Sequence, residues 1–168
     1  MADQKIAYGA NTAITISPAS LATSATLVAG RESSVIDNTA DLFVDALVQG
    51  LITVGTTPTA NTNIVVYVWG SNVSPATTAI DVIDGTDSAE TITSAGVRNS
   101  FMKIGAVLDV DAATSNVGYP FSFSVAELFG GSLPPYWGLF VAHNTVAALN
   151  ATGGNHVISY RGAYYTVG

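Results

Sequence analysis

The stretch Leu133-Pro134-Pro135-Tyr136-Trp137-Gly138-Leu139-Phe140-Val141-Ala142-His143-Asn144 opens on two prolines and closes on an asparagine. Successive side chains in a strand point to opposite faces, so Trp137, Leu139 and Val141 share one side and Tyr136, Phe140 and Ala142 the other. Both sets are apolar. The stretch therefore predicts an interior strand covered on both faces, rather than a strand with one wet face. Upstream, Asn63-Ile64-Val65-Val66-Tyr67-Val68-Trp69-Gly70-Ser71 has the same character, and Asn155–Val167 supplies a third long strand downstream.

Shorter strands surround these three. Met1–Asn11 reads as an N-terminal arm or first edge segment, and residues 12–168 as a single domain. Thr12–Ile16 alternates and stops at Ser17-Pro18. Ala25–Ala29 reads as a strand with Gly30 as its turn, and Arg31–Asp37 as the next. Asp41–Val48 fits a helical face through Leu42, Phe43, Ala46 and Leu47, or a strand face through Val44, Ala46 and Val48. Strand is favoured because Gly50 breaks the run early, and Leu51–Val54 continues it past a bulge at Gln49-Gly50. Asp81–Gly96 has no clear period and reads as loop with short pieces of strand. Val97–Val110 reads as one long strand with Met102, Ile104, Ala106, Leu108 and Val110 on its buried face. Tyr119–Val125 alternates with Tyr119, Phe121, Phe123 and Val125 together. Ser124 stands three residues before Glu127, the capping-box spacing, and Gly130 follows, so one short helix is expected there. Strands separated by Gly, Pro and Asn turns define an all-β class: a jelly-roll-like antiparallel β-sandwich with one short helix.

Composition narrows the function. Only 10% of the 168 residues are charged, against about 25% in ordinary domains. The surface must be built of hydroxyl, amide and small apolar groups. Such a surface suits contact with other protein, because burying Thr or Asn costs far less than burying Lys or Glu. Five basic and twelve acidic residues give a net charge of −7, which is the wrong sign for binding nucleic acid or an anionic membrane. There is no cysteine, hence no disulfide frame and no thiolate nucleophile. No apolar run reaches the roughly 18–20 residues of a membrane span, and Met1–Lys5 does not open a signal peptide.

The candidate sites are few. His143 and His156 sit at strand ends and with a carboxylate would make a metal site, but no ligand spacing supports it. Asp81, Asp84, Asp87 and Glu90 crowd one loop; calcium loops use closely spaced oxygens, yet Val82 and Ile83 stand where ligands are wanted, and the plainer reading is an acidic solvated turn. Tyr67, Trp69, Tyr136, Trp137, Tyr160, Tyr164 and Tyr165 would either pack the core, the favoured reading, or line a sugar-binding face. Arg161, amid tyrosines, is read as stacking on a ring or pairing with an acid at an interface. No nucleophile elbow or phosphate loop occurs. No residue is assigned a catalytic, cofactor-binding or metal-ligating role, and the chain is not read as an enzyme.

The runs Leu51–Trp69, Asp84–Ile92, Leu133–Leu139 and Asn150–His156 resemble a family of small structural proteins of tailed bacteriophages, and the resemblance extends over most of the chain. It implies a virion component of jelly-roll type, made in the host cytoplasm: a capsid decoration or cement protein whose partners are its own copies and the major capsid protein. The alternative is a head-fibre or tail-associated module that holds host surface carbohydrate on exposed Tyr and Trp.

Overall fold

The computed structural model describes residues 3–168. Eleven strands run β1 (Gln4–Tyr8), β2 (Thr12–Ala13), β3 (Ala29–Glu32), β4 (Ile36–Asp37), β5 (Asp45–Thr53), β6 (Thr62–Ser71), β7 (Ala89–Thr91), β8 (Met102–Val110), β9 (Gly118–Ser124), β10 (Tyr136–His143) and β11 (Val157–Val167). Two short helices, α1 (Ala95–Phe101) and α2 (Val125–Leu128), interrupt them. One sheet has the order β1-β11-β5-β9 with β2 on β11; the other has β7-β3-β10-β6-β8 with β4 on β10. Without the short β2, β4 and β7, the strands in chain order make a first-eighth-third-sixth sheet facing a second-seventh-fourth-fifth sheet. This is the connectivity of a jelly roll, and every pairing in it is antiparallel.

The organising strand is β10. It lies between β3 and β6, and every residue from Trp137 to His143 is buried. Trp137, Leu139 and Val141 enter the core between the sheets, with Val66, Val68, Ile52, Val48 and Tyr160. Phe140 and Ala142 turn to a second cluster on the far side, with Tyr67, Trp69, Ile83, Ile92 and Met102. The helix expected at Ser124 is α2, and the Ser124 hydroxyl accepts from the Glu127 N–H at 3.2 Å. Met1–Asn11 includes the edge strand β1, paired on β11; Met1 and Ala2 lie outside the described residues.

Several local expectations are corrected, mostly at glycines. Gly30 is not a turn but lies inside β3, because a Cβ there would stand 2.4 Å from the Val141 carbonyl and 2.6 Å from the Phe140 ring. The expected strand at Ala25–Ala29 is replaced by turn up to Val28. Gly50 is no bulge: β5 is regular through it, and the missing Cβ makes room for the Phe121 ring at 2.6 Å. The bulge is at Gly105, where Val66 pairs with Ala106 but Tyr67 pairs with Ile104. It reverses the faces of β8, so Leu108 and Val110 enter the inner core, Met102 joins the outer cluster and Ile104 is 54% exposed. The first part of the expected strand Val97–Val110 is α1, capped by the Ser94 hydroxyl on the Val97 N–H. Thr12–Ile16 shortens to β2, Arg31–Asp37 divides into β3 and β4, and the strand in Asp41–Val48 begins only at Asp45.

Candidate functional site

The two outer faces of the sandwich differ. Outside β10 and β6, the chain covers itself. Residues 72–101 fold back over Tyr67, Trp69 and Phe140, and bring Ile80, Ile83, Ile92, Val97 and Phe101 down on them. Two polar groups hold this cover. The Arg98 guanidinium, buried, donates to the Thr26 and Leu27 carbonyls at 2.9 and 2.8 Å and lies 4.8 Å over the Tyr67 ring. Glu32, fully buried, accepts from the Gly85 N–H at 2.7 Å and the Asp84 N–H at 3.3 Å. Loss of hydration pushes the Glu32 carboxyl up to about 7, against the lowering pull of those two N–H groups.

The outer face of β1-β11-β5-β9 has no such cover among the described residues. Register puts Ile6 and Tyr165 side by side, then Leu47 beside Arg161 and Leu51 beside Val157. Ile6, Tyr8, Leu47, Val157, Tyr165 and Val167 are all exposed. A shallow depression in its middle is lined by Gln49, Leu51, Pro120, Ser122, Val157 and Ser159. Asp45 is the carboxylate side chain placed here among the described residues, and it is spent on the Ser124 hydroxyl at 2.8 Å and the Ala126 N–H at 2.9 Å, at the start of α2. Arg161 has neither an ion pair nor a ring contact among the described residues.

The acidic loop residues are occupied one by one. Asp81 accepts from the Thr93 N–H and hydroxyl, Asp84 from the Thr86 N–H, and Glu90 from the Ser88 hydroxyl. Asp87 pairs with Arg31 and takes the Ser17 N–H and hydroxyl, and its carboxyl is held below the usual range. Asp81, Asp84 and Glu90 bond within the loop, and Asp87 ties it to the body through Arg31 and Ser17; the four do not converge. No group of three His, Asp or Glu side chains among the described residues is placed to hold a metal ion.

The histidines are equally engaged. His143 is fully buried, with Nε2 2.9 Å from the Leu21 carbonyl and Nδ1 2.9 Å from the Thr145 hydroxyl; burial pushes its pKa down. His156 bonds the Asn150 carbonyl through Nε2 and takes the Thr53 N–H on Nδ1. Trp69 and Trp137 are wholly buried and their indole N–H groups meet no protein acceptor. Tyr67 and Tyr160 are core residues too, Tyr160 edge-on to Trp137 at 5.3 Å between centroids. Stacking of sugar on tryptophan therefore has no exposed indole to use; of the seven aromatics, only Tyr164 and Tyr165 are exposed.

Glu32 and Arg98 are the residues that sequence reasoning missed. Glu32 sits in the polar run Arg31-Glu32-Ser33-Ser34, which carries no burial signal. Arg98 was readable in part, since Ser94 ahead of Ala95 is a helix-start signal. No family model matches this chain, and no curated protein is detectably similar to it.

Proposed function

We propose that the protein is a structural component of a bacteriophage virion, a capsid decoration protein that stabilises the shell by bridging major capsid subunits. The observation that carries this reading is the uncovered outer face of the β1-β11-β5-β9 sheet: broad, partly apolar and poor in charged side chains, with its Asp45 carboxylate held by the Ser124 hydroxyl and the Ala126 N–H. Surfaces of that kind are protein-contact surfaces, because neutral and apolar groups are cheap to desolvate. The mechanism is mechanical. Each subunit covers its own share of neighbouring shell protein, and the lattice multiplies a modest single contact into a strong one. Binding to the assembled shell alone shifts the shell's disruption to higher temperature by mass action.

The test is addition of purified protein to cognate shells stripped of it. The expected result is saturable binding at lattice stoichiometry and a higher shell disruption temperature. Shells that neither bind the protein nor gain stability from it overturn the proposal.

A further inference from the structure

We infer that β1 is a self-pairing edge: two copies of the chain join antiparallel along Gln4–Tyr8, about a two-fold axis at Ile6, and their β1-β11-β5-β9 sheets become one continuous sheet. The inference is independent of the virion reading and rests on the geometry of the edge.

The Gly9 N–H donates to the Gly162 carbonyl at 2.8 Å, and the Gly168 N–H donates to the Asp3 carbonyl at 3.1 Å. Hydrogen-bonded and non-bonded pairs alternate along an antiparallel ladder. The odd residues of β1 therefore turn their N–H and C=O groups to β11, and Gln4, Ile6 and Tyr8 turn theirs to the free edge. No described residue bonds them there. An open edge of this kind is a template for another strand. β5 stops pairing with β11 at Asp45 opposite Ala163, so over Tyr164–Val167 the backbone of β11 pairs with β1 alone, while the Tyr164 ring packs on Phe43. A two-stranded ribbon is marginal in water, and additional strands stabilise it.

Register and charge identify the occupant as a second copy. With the axis at Ile6, Ile6 faces its own copy and Gln4 faces Tyr8, so every outward-turned residue meets an outward-turned one. Lys5 then stands opposite Ala7, and Asp3 opposite Gly9, with no like charges opposed. Moving the axis to Lys5 sets the two lysines against each other, which costs stability. The chain carries −7 overall, so copies repel at most approaches. Among the described residues of β1 and its ends, Asp3 and Lys5 are the charged side chains, one of each sign. The Lys5 side chain lies along Gly168, away from the exposed Ile6 and Tyr8 side chains.

Sedimentation velocity of the full chain over a concentration series, with three variants, tests this. Ile6→Pro removes an outward N–H and leaves the bonds to β11 intact, the setting in which an edge strand tolerates proline. Paired Ile6 residues have Cα atoms roughly 5.5 Å apart, within disulfide reach, and the chain has no cysteine of its own. The expected results are a concentration-dependent species of twice the 17.2 kDa chain mass, and an Ile6→Pro half-association concentration at least about tenfold higher. Under mild oxidation Ile6→Cys gives a covalent dimer, and Ala7→Cys does not. A wild-type chain that stays monomeric, or equal cross-linking of both cysteine variants, overturns the inference. So does a monomer whose binding to shells is abolished by Ile6→Pro, which assigns the edge to a shell strand and leaves the virion reading standing. A chain that self-pairs as described but ignores shells overturns the virion reading and supports this one.

Discussion

Outside β10 and β6, Tyr67, Trp69 and Phe140 are buried under Ile83, Ile92, Val97 and Phe101; outside β11 and β5, Leu47, Val157 and Tyr165 stand in solvent. The two sheets belong to one jelly roll and share one inner core, so the inner packing is not what separates them. The difference lies in where the chain spends its long connections. Residues 72–101 join β6 to β8, neighbours in the same sheet, by way of a detour across that sheet's outer face. Arg98 fastens the detour with buried, charge-assisted hydrogen bonds, the stronger kind, and Glu32 adds its acceptance of the Gly85 and Asp84 N–H groups. Among the described residues no comparable segment crosses the outer face of the first sheet. The chain builds a second hydrophobic cluster on one face and leaves apolar side chains exposed on the other.

The comparison can be broken most severely at Trp69. Trp69→Ala empties the centre of the covered face, and the expected loss is about 3–5 kcal/mol, read as a lower urea midpoint at unchanged slope. A loss below about 1 kcal/mol contradicts the account of that cluster.

Glu32 tests what holds the cover down. Its native carboxyl titrates near 7 against an ordinary 4.5, so between those values the folded state binds the extra proton. Stability from this group is then full below about pH 4.5 and is lost as the pH rises through about 7. The expected difference is roughly 3 kcal/mol. Glu32→Gln, which keeps an acceptor for the Gly85 N–H, flattens that slope. Urea unfolding at pH 5 and pH 8 measures both, and a slope that persists in Glu32→Gln assigns it to another group.

The smallest effect belongs to the open face. Leu47→Ala and Val157→Ala change monomer stability by no more than about 0.5 kcal/mol, as surface substitutions do, while weakening attachment to shells. If both unfold the monomer as strongly as Trp69→Ala, the face is part of the fold's own core and the contrast is lost.

Much of this architecture was legible in the residues. β10 and β6 announce themselves as two-sided strands because both of their alternating sets are apolar, and both sets are buried, Trp137 inward and Phe140 outward. The capping box at Ser124 placed α2. What failed was the meaning of individual glycines. Gly30 and Gly50 look like breaks, yet each is a gap filled by a ring from a neighbouring strand, Phe140 or Phe121, and no local pattern records which ring will arrive. The bulge at Gly105 was hidden for the same reason: an even alternation continues through it in the sequence, and only pairing with Tyr67 shows the skipped residue. The candidate site was less legible still. The Arg98 bonds to Thr26 and Leu27 span more than seventy residues, and whether a strand's outer face is covered depends on such long-range folding back.

The most direct measurement is cryo-electron microscopy of intact particles at a resolution that places the strands. The account predicts many copies of the jelly roll on the shell lattice, each with Leu47, Val157 and the rest of the β1-β11-β5-β9 outer face against a neighbouring protein and residues 72–101 toward solvent. Copies whose open face points into solvent, or particles with only a few copies at the neck or tail, contradict it.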